Sequence, residues 1–175
     1  MTIRMRSIWT IGHSTRERTL FEGLLTENGI QILADVRRFP GSRKHPQFGQ
    51  DTLRESLADI GIEYVHFPEL GGRRKPRSGS QNTAWRNESF RGYADYMETP
   101  AFAAALAHLQ SVADETRTAI MCAELLWWRC HRALVSDALQ AGGRPVAHIG
   151  PEGELIAHPY TAAARVDGNR VRYDE

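Results

Sequence analysis

The chain has 175 residues, 41% of them hydrophobic and 25% charged, with a formal net charge of +1. No apolar run approaches the roughly 20 residues that a membrane span needs, and the basic start Met1–Ser7 runs on without a signal-peptide apolar region. Two cysteines without an export signal argue against a disulfide framework, so reduced thiols in a cytoplasmic protein are expected.

Ile8-Trp9-Thr10-Ile11 is a β-branched and aromatic strand ended by Gly12. Ser14-Thr15-Arg16-Glu17 fits a capping box, which predicts a helix with Ser14 as its N-cap. Leu20, Phe21, Leu24 and Leu25 then lie on one face, and Asn28-Gly29 is the stop. Ile30 to Val36 is the next strand. Strand, helix and strand within about 30 residues read as a right-handed βαβ unit. Pro40, Gly41 and Pro46 break the following loop. A helix from Gln50 or Asp51, carrying Leu53, Leu57 and Ile60, leads through Gly61 to the strand Ile62–Phe67. The polar, basic stretch from Leu70 to about Asn87 is long enough to suggest a mobile lid.

Two helices follow, a short one around Tyr93, Tyr96 and Met97 and a longer one carrying Phe102, Leu106, Leu109 and Val112. Thr118 to Cys122 is an apolar strand, and a helix is expected from about Arg129 to Gln140. Pro145–Ile149 is a fifth strand. Pro151-Glu152-Gly153 turns into Glu154–His158 as a hairpin, beyond which the pattern fades. Alternating strands and helices predict a three-layer α/β/α fold with a mainly parallel five-stranded sheet and a C-terminal hairpin. One domain is expected over residues 1–175, with its core at about 8–150 and the hairpin and tail at 151–175.

The blocks Thr10-Ile11-Gly12-His13-Ser14, Asp35-Val36-Arg37 with Pro40 and Ser42, Gly61-Ile62-Glu63-Tyr64 and Leu70-Gly71-Gly72 occur in order. Met121-Cys122-Ala123-Glu124, Cys130-His131-Arg132 and His148-Ile149 follow them. Together they resemble the DUF488 family, a family without an assigned function. The resemblance implies an α/β domain and directs attention to these blocks, without supplying a reaction. Leu125-Leu126-Trp127-Trp128-Arg129 is more apolar than the charged connection expected there, which suggests a partly buried loop.

Ligands of open α/β sheets bind beyond the carboxyl ends of the strands. Gly12, Asp35 and Cys122 end three strands, so one site is expected where those ends meet. Cys130, placed in a first helical turn beside Arg129 and Arg132, is a candidate thiolate nucleophile or anion-site residue; the alternative is a small packed cysteine. Glu124 and His13 are candidates for proton transfer, Glu124 alternatively for an ion pair that fixes the loop. Gly12 and Ser14 offer backbone amides to an anion. Asp35, Arg37, Ser42, His131 and Arg132 complete the expected substrate contacts. Asp35 and Arg37 share one strand face, where Asp35 could orient Arg37 or a substrate hydroxyl, the alternative being a purely structural pair. Arg37, Glu124 and Arg132 should surround one pocket.

Cys122 and Cys130 lack the spacing of a CxxC pair, and with His131 they lack the compact ligand pairs of structural zinc, so no metal site is assigned. No motif names a cofactor, and nothing sets the oligomeric state. The leading expectation is an enzyme acting on an anionic partner, either a small molecule (a nucleotide or phosphorylated metabolite) or nucleic acid. The alternative is a non-catalytic nucleic-acid-binding or adaptor module. It would use the basic loops 37–44 and 73–77, where Arg37, Arg38, Arg43, Lys44, Arg73, Arg74, Lys75 and Arg77 cluster.

Overall fold

A computed structural model describes residues 5–175. Strands β1 (Ile8–Gly12), β2 (Ile32–Asp35), β3 (Glu63–His66), β4 (Thr118–Cys122), β5 (Val146–Ile149) and β6 (Leu155–Ala157) form one sheet in the order β3-β2-β4-β1-β5-β6. The first five run parallel and β6 pairs antiparallel with β5 through the expected turn at Pro151–Gly153. The sheet therefore has six strands, not five, because the returning arm of that hairpin joins its edge.

Side-chain alternation along the strands divides the core in two. Trp9, Ile11, Leu33, Tyr64 and Met121 pack under α1 (Arg18–Glu27) and α2 (Gln50–Asp59) through Phe21, Leu25, Leu53 and Leu57. Ile8, Ala34, Val36, Ile120 and Val146 pack on the opposite face under α3 (Glu88–Met97), α4 (Pro100–Glu115) and α5 (Arg132–Ala141). Two packed faces make the expected three-layer α/β/α arrangement. No helix among the described residues is long and apolar enough to cross a membrane.

Four local expectations are corrected. The capping box does not form: Glu17, not Ser14, is the N-cap of α1, and no side chain caps that end. The cause is Arg16, which turns inward and donates from Nε to the Gly12 carbonyl and from Nη1 and Nη2 to those of Pro151 and Gly150. The turn this requires puts Ser14 at φ 44°, and the helix starts after it. The second correction lies beyond Tyr160, where β7 (Arg165–Asp167) and β8 (Arg170–Arg172) form a separate hairpin. Gly168-Asn169 is its turn, but strands of three mostly exposed residues with a single valine each, Val166 and Val171, are too short to stand out as an alternating pattern.

The third concerns the 71–87 loop, which is pinned. Asp95 on α3 accepts bonds from the Arg77 amide at 2.9 Å, Ser80 Oγ at 2.6 Å and Asn82 Nδ2 at 2.7 Å, and the Ala84 amide bonds to the Tyr173 carbonyl. The fourth is that α5 begins at Arg132 rather than near Arg129. A short 3-10 turn, Trp127–Arg129, precedes it and leaves Cys130 extended just ahead of the helix.

Candidate functional site

Strand β4 lies between β2 and β1 and runs parallel to both, with Asp35 beside Met121 and Gly12 beside Cys122. The three strand ends are therefore neighbours on one edge of the sheet, as expected. A cavity of about 590 Å³ opens there, lined among others by His13, Arg37, Ser42, Glu124, Cys130 and His131. Arg38, Arg43, Lys44, Arg73 and Arg129 also line it and leave Glu124 as its single carboxylate. That volume suits a small ligand.

Arg37 is the buried cation of the wall. Its Nε and Nη2 grip Asp35 at 2.8–3.2 Å, and Asp35 also accepts from the Tyr64 hydroxyl. Nη1 lies 3.3 Å from His13 Nε2. A guanidinium has five N–H bonds, so two are left without a protein partner among the described residues. Asp35 itself is fully buried and does not line the cavity; it orients Arg37.

His13 stacks on Phe48 with ring centroids 4.4 Å apart, and its Nδ1 is 3.0 Å from the Ser14 carbonyl. Burial lowers its pKa to about 4, overriding that bond. The ring is therefore neutral near pH 7, with Nδ1–H donating to Ser14 and Nε2 accepting from Arg37. With both nitrogens engaged, His13 holds Arg37 in place, and the expected proton-transfer role does not follow from its geometry.

The backbone around Gly12 is likewise committed. The His13 and Ser14 amides continue the β-ladder onto the Cys122 and Ala123 carbonyls, each at 3.0 Å. Neither is free for an anion, and Gly12 serves instead to let the Glu124 backbone approach. The Ser14 side chain does line the cavity. Ser42 Oγ accepts the His45 amide at 3.0 Å and shapes the basic loop. His131 reaches the Val36 carbonyl through Nε2 at 2.8 Å. Glu124 is half-buried with Oε1 3.4 Å from the Leu126 amide.

Arg132 is completely buried and lies beneath the cavity, not in it. Nη2 donates to the Glu124 and Leu125 carbonyls at 2.6 and 3.3 Å, Nη1 to Thr10 Oγ1 at 3.1 Å, and Nε to Cys130 Sγ at 3.2 Å. The expectation that it contacts substrate is corrected: it fixes the 124–130 loop and faces the sulfur. Cys130 Sγ also receives the Arg132 amide at 3.3 Å, and Cys122 Sγ lies 3.0 Å away. Burial alone would raise the Cys130 thiol, but the bond from Cys122, the Arg132 charge and the Arg132 amide outweigh it and hold Cys130 well below the ordinary range. Burial and the same bond push Cys122 well above it. Both shifts favour Cys130 as the acceptor and Cys122 as the donor of the contact between the sulfurs.

Spacing gave no warning of that contact, nor of the chain of bonds behind Arg132. Thr10 Oγ1 lies 2.6 Å from His148 Nδ1, His148 Nε2 lies 2.8 Å from His158 Nδ1, and His158 Nε2 lies 2.8 Å from Asp137 Oδ1. Donors running one way, from Arg132 through Thr10, His148 and His158 to Asp137, satisfy every atom. Trp127 covers His148 with parallel rings 4.4 Å apart, so the 125–129 loop is partly buried, as its apolar sequence suggested.

Of the second basic loop only Arg73 turns to the cavity. Arg74 lies over the Tyr96 ring and Arg77 pairs with Glu98 at 2.6 Å. Ser14 and Arg73 (φ 60°) are the non-glycine residues in the left-handed region among those described, and both line the cavity. Strain of this kind is characteristic of ligand sites. Arg73→Gly is expected to raise stability by about 0.5–1 kcal/mol while weakening anion retention. Urea midpoints and phosphate binding check the two halves, and an unchanged or lower midpoint would show that Arg73 is not strained.

Among the described residues no group of three or more His, Cys, Asp or Glu side chains is placed to hold a metal ion. Comparisons with curated proteins and with solved structures returned no match. The family model described as Domain of unknown function DUF488 matches residues 17–139, well over half of the chain but short of His13 and His148, and the chain belongs to the DUF488 family.

Proposed function

We propose that the protein is an enzyme that binds an anionic substrate in this cavity and attacks it with the Cys130 thiolate. The observation that carries the reading is a sulfur held by the Arg132 amide and guanidinium at the base of a cavity whose other charges are almost all positive. Arg37, with two unengaged N–H bonds, would bind the substrate's charge, and Glu124 is the group available to move a proton. Two free thiols fit a reducing compartment such as the cytoplasm.

A nucleic-acid-binding or adaptor role keeps one supporting observation. Phe39 is 63% exposed on the cavity rim with the Arg38 guanidinium over its ring, an arrangement able to stack a base. A log-linear fall of affinity with salt on heparin or nucleic acid would favour that role.

The enzyme reading is tested by alkylation with iodoacetamide, followed by mass mapping. Labelling of Cys130 should stay fast well below the free thiol value of about 8.5 and should slow when inorganic phosphate fills the cavity. A rate that drops tenfold with each pH unit below that value would sink the thiolate assignment.

A further inference from the structure

We propose that Cys122 and Cys130 act together as a dithiol–disulfide pair whose substrate is a low-molecular-weight disulfide carrying negative charge. This rests on the thiolate reading above and names the substrate class. Seven residues separate the two cysteines, yet the 124–130 loop folds back until their sulfurs are 3.0 Å apart. Closing to a disulfide of about 2.05 Å requires a movement of about 1 Å.

The two sulfurs, both at the cavity lining, are also unlike. Cys130 faces two N–H donors of Arg132, whereas Cys122 Sγ contacts Cys130 and, at 3.6 Å, the Glu124 carbonyl. This is the division between an attacking and a resolving thiol. For acyl or phosphoryl transfer the second thiol could serve only as a hydrogen-bond donor to the first, a task that no second sulfur is needed for. A second thiol is what a sulfur electrophile requires, because it releases the protein from the mixed disulfide.

In the first step the Cys130 thiolate attacks one sulfur of RSSR, forming Cys130–S–SR and expelling RS⁻. The Cys122 proton, no longer held by a thiolate at Cys130, passes to that RS⁻. Cys122 sulfur then attacks Cys130 sulfur and expels the second RS⁻. The protein dithiol loses two electrons and the substrate disulfide gains them. The reverse, with two RSH, restores the dithiol. Arg37, Arg38, Arg73 and Arg129 around the opening select for carboxylates on R.

The test treats reduced protein with oxidised glutathione or with neutral bis(2-hydroxyethyl) disulfide, quenches with acid, and reads intact mass. Wild type should lose two hydrogens and retain no adduct, and glutathione should restore it. Cys122→Ser should trap one glutathione on Cys130, with Cys122→Ala as substitute if the serine variant misfolds. At low salt the anionic disulfide should react at least about tenfold faster than the neutral one. Wild type that keeps the adduct overturns the proposal, as does equal reaction with both disulfides or faster oxidation by hydrogen peroxide. If Cys130 alkylates rapidly at neutral pH and yet no disulfide oxidises the pair, the dithiol proposal fails and the thiolate reading stands. If Cys130 does not alkylate, both fail.

Discussion

Replacing Arg132 with Met is expected to destabilise the fold by about 3–5 kcal/mol and to return Cys130 to an ordinary thiol. The side chain is fully buried, and Met restores most of its volume but none of its donors. The Glu124 and Leu125 carbonyls and Thr10 Oγ1 lose that donor, and the Cys130 thiolate loses its counter-charge. Lys keeps one charge but cannot serve acceptors in three directions, so Arg132→Lys should recover thiol reactivity better than stability.

The pH dependence separates the two effects. Cys130 has a depressed folded pKa, so its contribution is complete above the unfolded value of about 8.5 and is lost as pH falls through the folded value. Cys122 has a raised folded pKa, so its contribution is complete below about 8.5 and is lost as pH rises toward the folded value. Reduced wild type should therefore gain stability from the pair up to the free-thiol region and lose it beyond. In Arg132→Met the rising limb should flatten. Urea unfolding under a thiol-free reductant, with alkylation rates at each pH, measures both. Wild-type stability or an unchanged labelling profile in the variant would refute the role given to Arg132.

Most of this architecture could be read from local pattern. Ile8–Gly12 and Thr118–Cys122 announce themselves as strands by composition, and α1, α2 and α4 by apolar spacing. That the β1, β2 and β4 ends share one edge follows once the strands run parallel; that they are neighbours depends on the strand order, which local pattern does not carry. What local pattern could not supply was commitment of polar groups. Ser14 fits a capping box until Arg16, bonded to carbonyls 134 and 135 residues away, takes the turn for itself. Arg132 looks like a substrate cation until its donors are seen to hold the loop. Thr10 and His148, 138 residues apart, have no local signal that they meet, and the seven residues between Cys122 and Cys130 match no redox motif. Contacts of this kind are set by chain reversal, to which residue spacing is blind.

The second large effect belongs to the smallest side chain of the site. A Cβ on Gly12 would lie 1.9 Å from the Glu124 carbonyl oxygen, 2.7 Å from its carbon and 2.9 Å from Leu125 Cα. All three are backbone atoms, so no rotamer change relieves the clash; either the β1 end or the 124–125 loop must move. The same Glu124 oxygen accepts Arg132 Nη2, so displacing it breaks the bond that fixes the loop and draws Glu124 and Cys130 away from the cavity. Gly12→Ala is therefore expected to cost at least about 3 kcal/mol. For a domain of this size that lowers the melting temperature by roughly 6–12 °C. Cys130 labelling at neutral pH should slow together with it. Gly23→Ala in α1 is the matched control, because a Cβ there meets nothing within 4 Å and should stabilise the helix by up to about 1 kcal/mol. Melting curves and iodoacetamide rates for the two variants decide the matter, and a Gly12→Ala protein that melts and labels like wild type would mean the loop is not held against the β1 end.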